Sequence, residues 1–259
     1  MRGAVRQELE YFFGALRFFT RLPVPAWVGH SADGLNRSAR YFPAVGLVVG
    51  GLSALVFLLA SRGWPVSLAV LAAMAASIYA TGAFHEDGLS DMVDGLGGGW
   101  TKEQVLTIMK DSRVGSYGVV AIVLALLGKF LALAALPAAA IPAALVAGHG
   151  VSRFCATILL QQLDYVREDA LSKTKPLANA MSLPELTLAG CFALAGVALL
   201  GLWLPLQSLV LALALAGALT LWLARLLLRR LGGYTGDCLG AAQQGSELAF
   251  YLGLLWTFS

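Results

Sequence analysis

Six apolar runs, at 42–60, 65–84, 117–136, 138–160, 186–204 and 206–228, leave this chain few ways to fold. Each is close to the roughly 20 residues that an α-helix needs to cross a hydrocarbon core. Backbone amides find no water there, so only helices or closed barrels can span it. The runs are long and lack the alternating pattern of barrel strands, so the spans are read as helices. Composition agrees. The chain is 58% hydrophobic and 13% charged, with a mean hydropathy of +0.75, whereas soluble domains carry about 25% charged residues. The expectation is an all-α, polytopic membrane helix bundle of six to seven transmembrane helices. The seventh run, 248–258, is too short to cross upright; it is completed by the small residues before it or lies partly in the interface.

Gly63, the 137–142 segment and Pro205 mark tight turns between consecutive spans. Residues 1–40 are read as a cytoplasmic or interfacial segment and 41–259 as the bundle, together one membrane domain. Phe12, Phe13, Leu16 and Phe19 recur at helical spacing. Arg17 and Arg21 interrupt the apolar character and no small-residue cleavage site follows, so this is not a signal peptide. It fits an N-terminal interfacial amphipathic helix that ends at Pro23 and Pro25.

Lys and Arg are distributed unevenly. Arg2, Arg6, Arg17, Arg21, Arg37 and Arg40 precede the first span; Lys102, Lys110 and Arg113 follow the second. Arg167, Lys173 and Lys175 follow the fourth, and Arg229 and Arg230 the sixth, while the opposite loops hold only Arg62. The positive-inside rule then puts the N-terminus and the large polar loops in the cytoplasm. Cys155, Cys191 and Cys238 lie far apart, which indicates neither a zinc site nor a disulfide framework. The net charge of +3 is spread over several loops and gives no nucleic-acid signature.

In this charge-poor chain, 85–95 reads His-Glu-Asp-Gly-Leu-Ser-Asp-Met-Val-Asp-Gly. Asp87, Asp91 and Asp94 are spaced i, i+4 and i+7, and so share one helix face. Such a cluster at a span end is costly without a cation, and carboxylate oxygens are the ligands Mg²⁺ prefers. Glu86 lies just off that face, and Gly88 and Gly95 remove bulk beside it. His85 is read as a local polar contact, a base or a hydrogen-bond donor.

The segment Asp111-Ser112-Arg113-Val114-Gly115-Ser116-Tyr117-Gly118 opens the third span. A cation, a hydroxyl and glycines at a helix start suit an anion, with Arg113 and Ser112 on phosphate oxygens and Asp111 as a further metal ligand. The other reading is a helix-entry turn capped by Asp or Ser. Gly115 would let a phosphate approach. Gly232-Gly233-Tyr234-Thr235-Gly236-Asp237 follows the sixth span on the same side, and Asp237 with the later Glu247 can bind metal or ribose hydroxyls. Lys129 and Arg153 lie within spans, facing the interior or snorkelling, and Arg153 can reach a phosphate. Lys175 belongs to a basic loop that suits an anionic substrate as well as it sets topology. The carboxylate face and the Arg-bearing turn together suggest metal-assisted phosphoryl-type transfer.

The chain resembles the cobalamin synthase family, the adenosylcobinamide-GDP ribazoletransferases. The resemblance runs through Phe18-Phe19-Thr20-Arg21-Leu22-Pro23-Val24-Pro25, Tyr41-Phe42-Pro43-Ala44-Val45-Gly46 and the acidic segment. It continues through Lys110 to Gly118 and the 232–242 stretch. It implies a multi-pass enzyme of the bacterial cell inner membrane that joins adenosylcobinamide-GDP to α-ribazole or its 5′-phosphate, with release of GMP and a requirement for Mg²⁺. On that reading Asp87, Asp91 and Asp94 hold the metal, with Glu86 and Asp111 as additions. Arg113 and Ser112 hold the pyrophosphate, and Asp237 contacts nucleotide or ribazole. The expected partners are the two substrates and the bilayer, with room for a homo-oligomer or for other late cobalamin-assembly enzymes.

Two alternatives stand beside it. A CDP-alcohol phosphotransferase shares Asp-x-x-Asp-Gly, but that pattern continues with Ala-Arg and a later Asp-x-x-x-Asp. Here Gly98-Gly99 and Gly115 occupy those places. A cation-coupled transporter would carry its acids near the midplane in a repeated architecture, and no repeat is visible.

Overall fold

The computed structural model describes residues 2–29, 32–166 and 181–256, and among these the chain is helical without a β-strand. Helix α1 (Arg2–Phe19) buries Tyr11, Ala15, Leu16 and Phe19 and exposes Val5 and Leu9, as an interfacial helix should. The short α2 (Ala32–Ser38) and a 3₁₀ turn (Ala39–Tyr41) lead into α3 (Phe42–Ala60). Pro43 sits in the first turn of α3, where its missing N–H costs nothing. The chain continues through α4 (Val66–Thr81), α5 (Phe84–Gly98), α6 (Lys102–Ile108), α7 (Ser116–Ala135) and α8 (Ile141–Gln162). It ends with α9 (Leu183–Leu200), α10 (Leu206–Arg230) and α11 (Gly236–Leu255).

Five of these stretches are long and apolar enough to cross a bilayer: Gly34–Ala60, α7, α8, α9 and α10. Helices α4 and α5 add a sixth only as a bent pair, with 85° between them. The chain is a multi-pass membrane protein. The bend closes the apolar run read above at 65–84, most of which is α4. It falls at Gly82 and Ala83, whose φ angles are +66° and +58°. A left-handed alanine costs about 1–2 kcal/mol. It is held by Ala83 N–H donating to Ile78 O at 2.9 Å and by Asp87 N–H donating to Ala83 O at 2.9 Å. Gly82 leaves room for Arg21, whose Nε would lie 2.7 Å from a Cβ there.

The last apolar run belongs to a complete helix. At 1.5 Å per residue the 20 residues of α11 span about 30 Å. This helix packs against α5, α7, α8 and α10. Surrounded by protein rather than lipid, it tolerates Gln243, Gln244 and Glu247, which kept it from reading as an apolar span. Its residues 238–242 join one apolar cluster with α1, α5 and the end of α10; Phe250, Tyr251 and Leu254 join a second with α4, α8 and α9. The polar residues 243–247 lie between the two.

The antiparallel order of helices gathers the polar connections at one end. Tyr234 N–H donates to Asp164 O at 2.8 Å, and Val166 N–H to Tyr234 O at 3.0 Å. Arg230, closing α10, donates to Gly99 O at 2.7 Å and Leu96 O at 3.3 Å, at the end of α5. Arg21 N–H reaches Ala80 O at 2.8 Å. The acidic helix is thus set at the end where these loops converge.

Candidate active site

Helix α5 presents its three aspartates differently. Asp87 is exposed, Asp91 half-buried, and Asp94 buried. The helix crosses the start of α11 at two glycines. A Cβ on Gly88 would lie 2.9 Å from Asp237 O and 3.3 Å from the Cα of Gly240. That close approach brings Asp237 alongside the first turn of α5, far from it in sequence. Asp237 Oδ2 accepts from Thr235 Oγ1 at 3.4 Å, within the turn that caps α11.

The other wall comes from α6 and the start of α7. An open cleft of about 410 Å³ is lined by Asp94, Asp111, Arg113, Gly115, Ser116 and Tyr117, among others. The Arg113 side chain is 87% exposed and grips Asp111 with its fork, Nε at 3.0 and 3.1 Å and Nη2 at 2.6 Å. Hydrogen bonding from Arg113 holds the Asp111 carboxyl down at about 2. Ser112 is exposed on the same loop, while Ser116 and Tyr117 supply the cleft lining. Asp94 does not stand free in the cleft: Oδ2 accepts from Gly115 N–H at 2.7 Å and Oδ1 from Gly118 N–H at 2.9 Å.

Glu86 turns away from this face. Its Oε1 accepts from Gln244 Nε2 at 3.0 Å, and its Oε2 is buried without a hydrogen-bond partner. It borders a buried polar layer that sequence reasoning found only in part. Glu247 Oε2 is 3.1 Å from Lys129 Nζ and 3.7 Å from His149 Nδ1, and accepts from Gln243 Nε2 at 2.6 Å. Tyr251 OH donates to Glu247 Oε1 at 3.1 Å, and Arg153 Nη1 donates to His149 O at 3.1 Å. Arg153 and Glu247, read above as substrate contacts, therefore sit inside the bundle with protein partners. His149, Gln243, Gln244 and Tyr251 were not singled out. The i, i+4 pairs His149/Arg153 and Gln243/Glu247, polar steps along buried helices, were the available signal. Lys175 lies outside the described residues.

Among the described residues no three His, Cys, Asp or Glu side chains converge closely enough to hold a metal ion by themselves. Mg²⁺ seldom needs such a cage. It keeps several waters and binds through one or two carboxylates plus substrate phosphates. Asp87 and Asp91, one turn apart on α5 and neither of them buried, are a hard-oxygen donor set of that kind.

The cobalamin-5-phosphate synthase profile matches residues 11–255 of this chain. The chain belongs to the cobalamin-5-phosphate synthase family. Relatives in this family include the adenosylcobinamide-GDP ribazoletransferase of Shewanella pealeana, 48% identical over 97% of both chains. The protein of the same name from Ralstonia nicotianae is 47% identical over the full length of both. That from Leptothrix cholodnii is 47% identical over 98% of this chain and 97% of its own. No solved structure matches the chain. The family match includes the acidic helix, the Arg113 loop and the start of α11, the three segments that meet at the polar end.

Proposed function

We propose that this chain is a membrane transferase that joins adenosylcobinamide-GDP to α-ribazole or α-ribazole 5′-phosphate and releases GMP. The full-length kinship carries the reaction class. The observation that supports a location on α5 is the pair of carboxylates Asp87, exposed, and Asp91, half-buried, on a helix whose end borders the Arg113 cleft. The ribazole 3′-oxygen forms a bond to the cobinamide-side phosphorus. The bond from that phosphorus to the bridging oxygen breaks, and the oxygen leaves with GMP. The hydroxyl proton passes to a carboxylate or to water.

Asp87 and Asp91 would hold Mg²⁺. When bound, the ion offsets charge on pyrophosphate and leaving-group oxygens. Arg113 is exposed, and a phosphate that reaches it would compete with Asp111 for the same fork of N–H groups. Asp237, held beside Gly88, is positioned for a ribose hydroxyl. The crowding of Lys and Arg at the ends next to the polar loops supports a cytoplasmic N-terminus and a site facing the cytoplasm, in a bacterial inner membrane.

The test uses the full-length protein, purified in detergent or returned to liposomes, with adenosylcobinamide-GDP and α-ribazole, with and without Mg²⁺. GMP and the cobalamin product are followed by chromatography. Metal-dependent formation of both is expected. Absence of product from folded protein would overturn the reading.

A further inference from the structure

Asp94 does for α7 what α7 does not do for itself. Gly115 is the N-cap residue of that helix and has no side chain to cap it. Among the first N–H groups of a helix, which lack intrahelical acceptors, those of the N-cap and the third helical residue are the two that a capping box satisfies with two side chains. Here one carboxylate from another helix takes both, from Gly115 at 2.7 Å and from Gly118 at 2.9 Å. Its charge meets the positive end of the α7 dipole. The fit is also steric. A Cβ on either glycine would overlap the Asp94 carboxylate, and one on Gly118 would also overlap Ser90 Oγ. The glycines that suggest room for a phosphate are filled instead by α5.

We infer that Asp94 is a positioning residue that caps α7 from α5, fixes the Arg113 loop relative to Asp87 and Asp91, and is not itself a metal ligand. What it positions rests on the proposed function; the cap does not. The three acids of one helix face thus divide: Asp87 and Asp91 are not buried, and Asp94 is buried against a neighbouring helix.

Three readouts on full-length protein in detergent test this. The first is thermal unfolding with chelator and no substrate. Asp94→Asn, which removes the charge and one acceptor, and Gly118→Ala, which wedges the helices apart, should each lower the midpoint by about 2–4 °C. The second is binding of Mn²⁺ alone, read by paramagnetic resonance. Asp94→Asn should stay within about twofold of wild type, while Asp91→Ala weakens binding by about tenfold or more. The third is a cycle on KM for adenosylcobinamide-GDP. Asp94→Asn and Arg113→Ala should each raise it, and the double variant should be no worse than Arg113→Ala, because one acts through the other. Unchanged melting in both cap variants would overturn the inference. So would a tenfold loss of Mn²⁺ affinity in Asp94→Asn, or effects that multiply in the cycle. If the wild type forms no product, the proposed function fails while melting still decides the cap.

Discussion

Lys129 and Glu247 face each other at 3.1 Å with side chains about 5% and 4% exposed. Removing one partner of a buried pair strands the other charge, at a cost of about 3–5 kcal/mol. Lys129→Met alone should therefore unfold the protein at markedly lower temperature. Lys129→Met with Glu247→Gln should recover part of that loss, because no net charge is left behind. Unfolding curves of these two variants and of Glu247→Gln alone check this, and strictly additive losses would contradict the pairing. The surface pair behaves differently. Arg113 holds the Asp111 carboxyl at about 2, below the ordinary carboxylate range. A depressed carboxyl contributes fully above that range and loses its contribution as pH falls toward the folded value. Between pH 5 and 9 the pair therefore does not titrate. Asp111→Asn should leave the shape of the pH–rate profile unchanged in that window, whatever it does to the rate. A limb that moves would contradict the pairing.

The acidic helix depends on its crossing with α11. Gly88 and Gly240 let the backbones touch, and a methyl at Gly88 would press on the carbonyl of Asp237. Overpacking of this kind costs about 1–3 kcal/mol. Gly88→Ala should lower thermal stability and activity together, since it pushes Asp87 and Asp91 away from Asp237. Normal activity in a normally folded variant would show that the crossing does not set the site. That Asp87, Asp91 and Asp94 would share a face on a helix was legible from spacing alone, but the destinations of those aspartates were not. Periodicity says which side chains share a face, not which helix the face meets. The bend at Gly82 and Ala83 was hidden for a related reason. Both residues are small and apolar, so hydropathy runs on through a point where the backbone turns left-handed. The full extent of α11 was hidden because burial among protein rather than lipid lets a spanning-length helix carry Gln and Glu.

At the scale of the whole molecule, apolar runs fixed the bundle and the one-sided cations pointed to a polar end. The structure adds what joins them: two apolar clusters with a polar layer between, and the 99–115 connection, which includes α6, meeting the 231–235 loop over α5. In sealed inside-out membrane vesicles, tags at the N-terminus and in the 99–115 loop should be accessible from outside, and a tag at 61–64 protected. The reverse pattern would contradict a cytoplasmic site. The proposed site has phosphoryl transfer run on Asp87 and Asp91 of α5. It is tested most directly by the rate of GMP release from adenosylcobinamide-GDP and α-ribazole in proteoliposomes, with wild type and Asp91→Ala matched for folding by their unfolding midpoints. Mg²⁺-dependent release by wild type is expected, with a fall of roughly 10²-fold or more in the variant, the scale on which a lost electrostatic stabiliser acts. Release by Asp91→Ala at the wild-type rate would place the chemistry elsewhere.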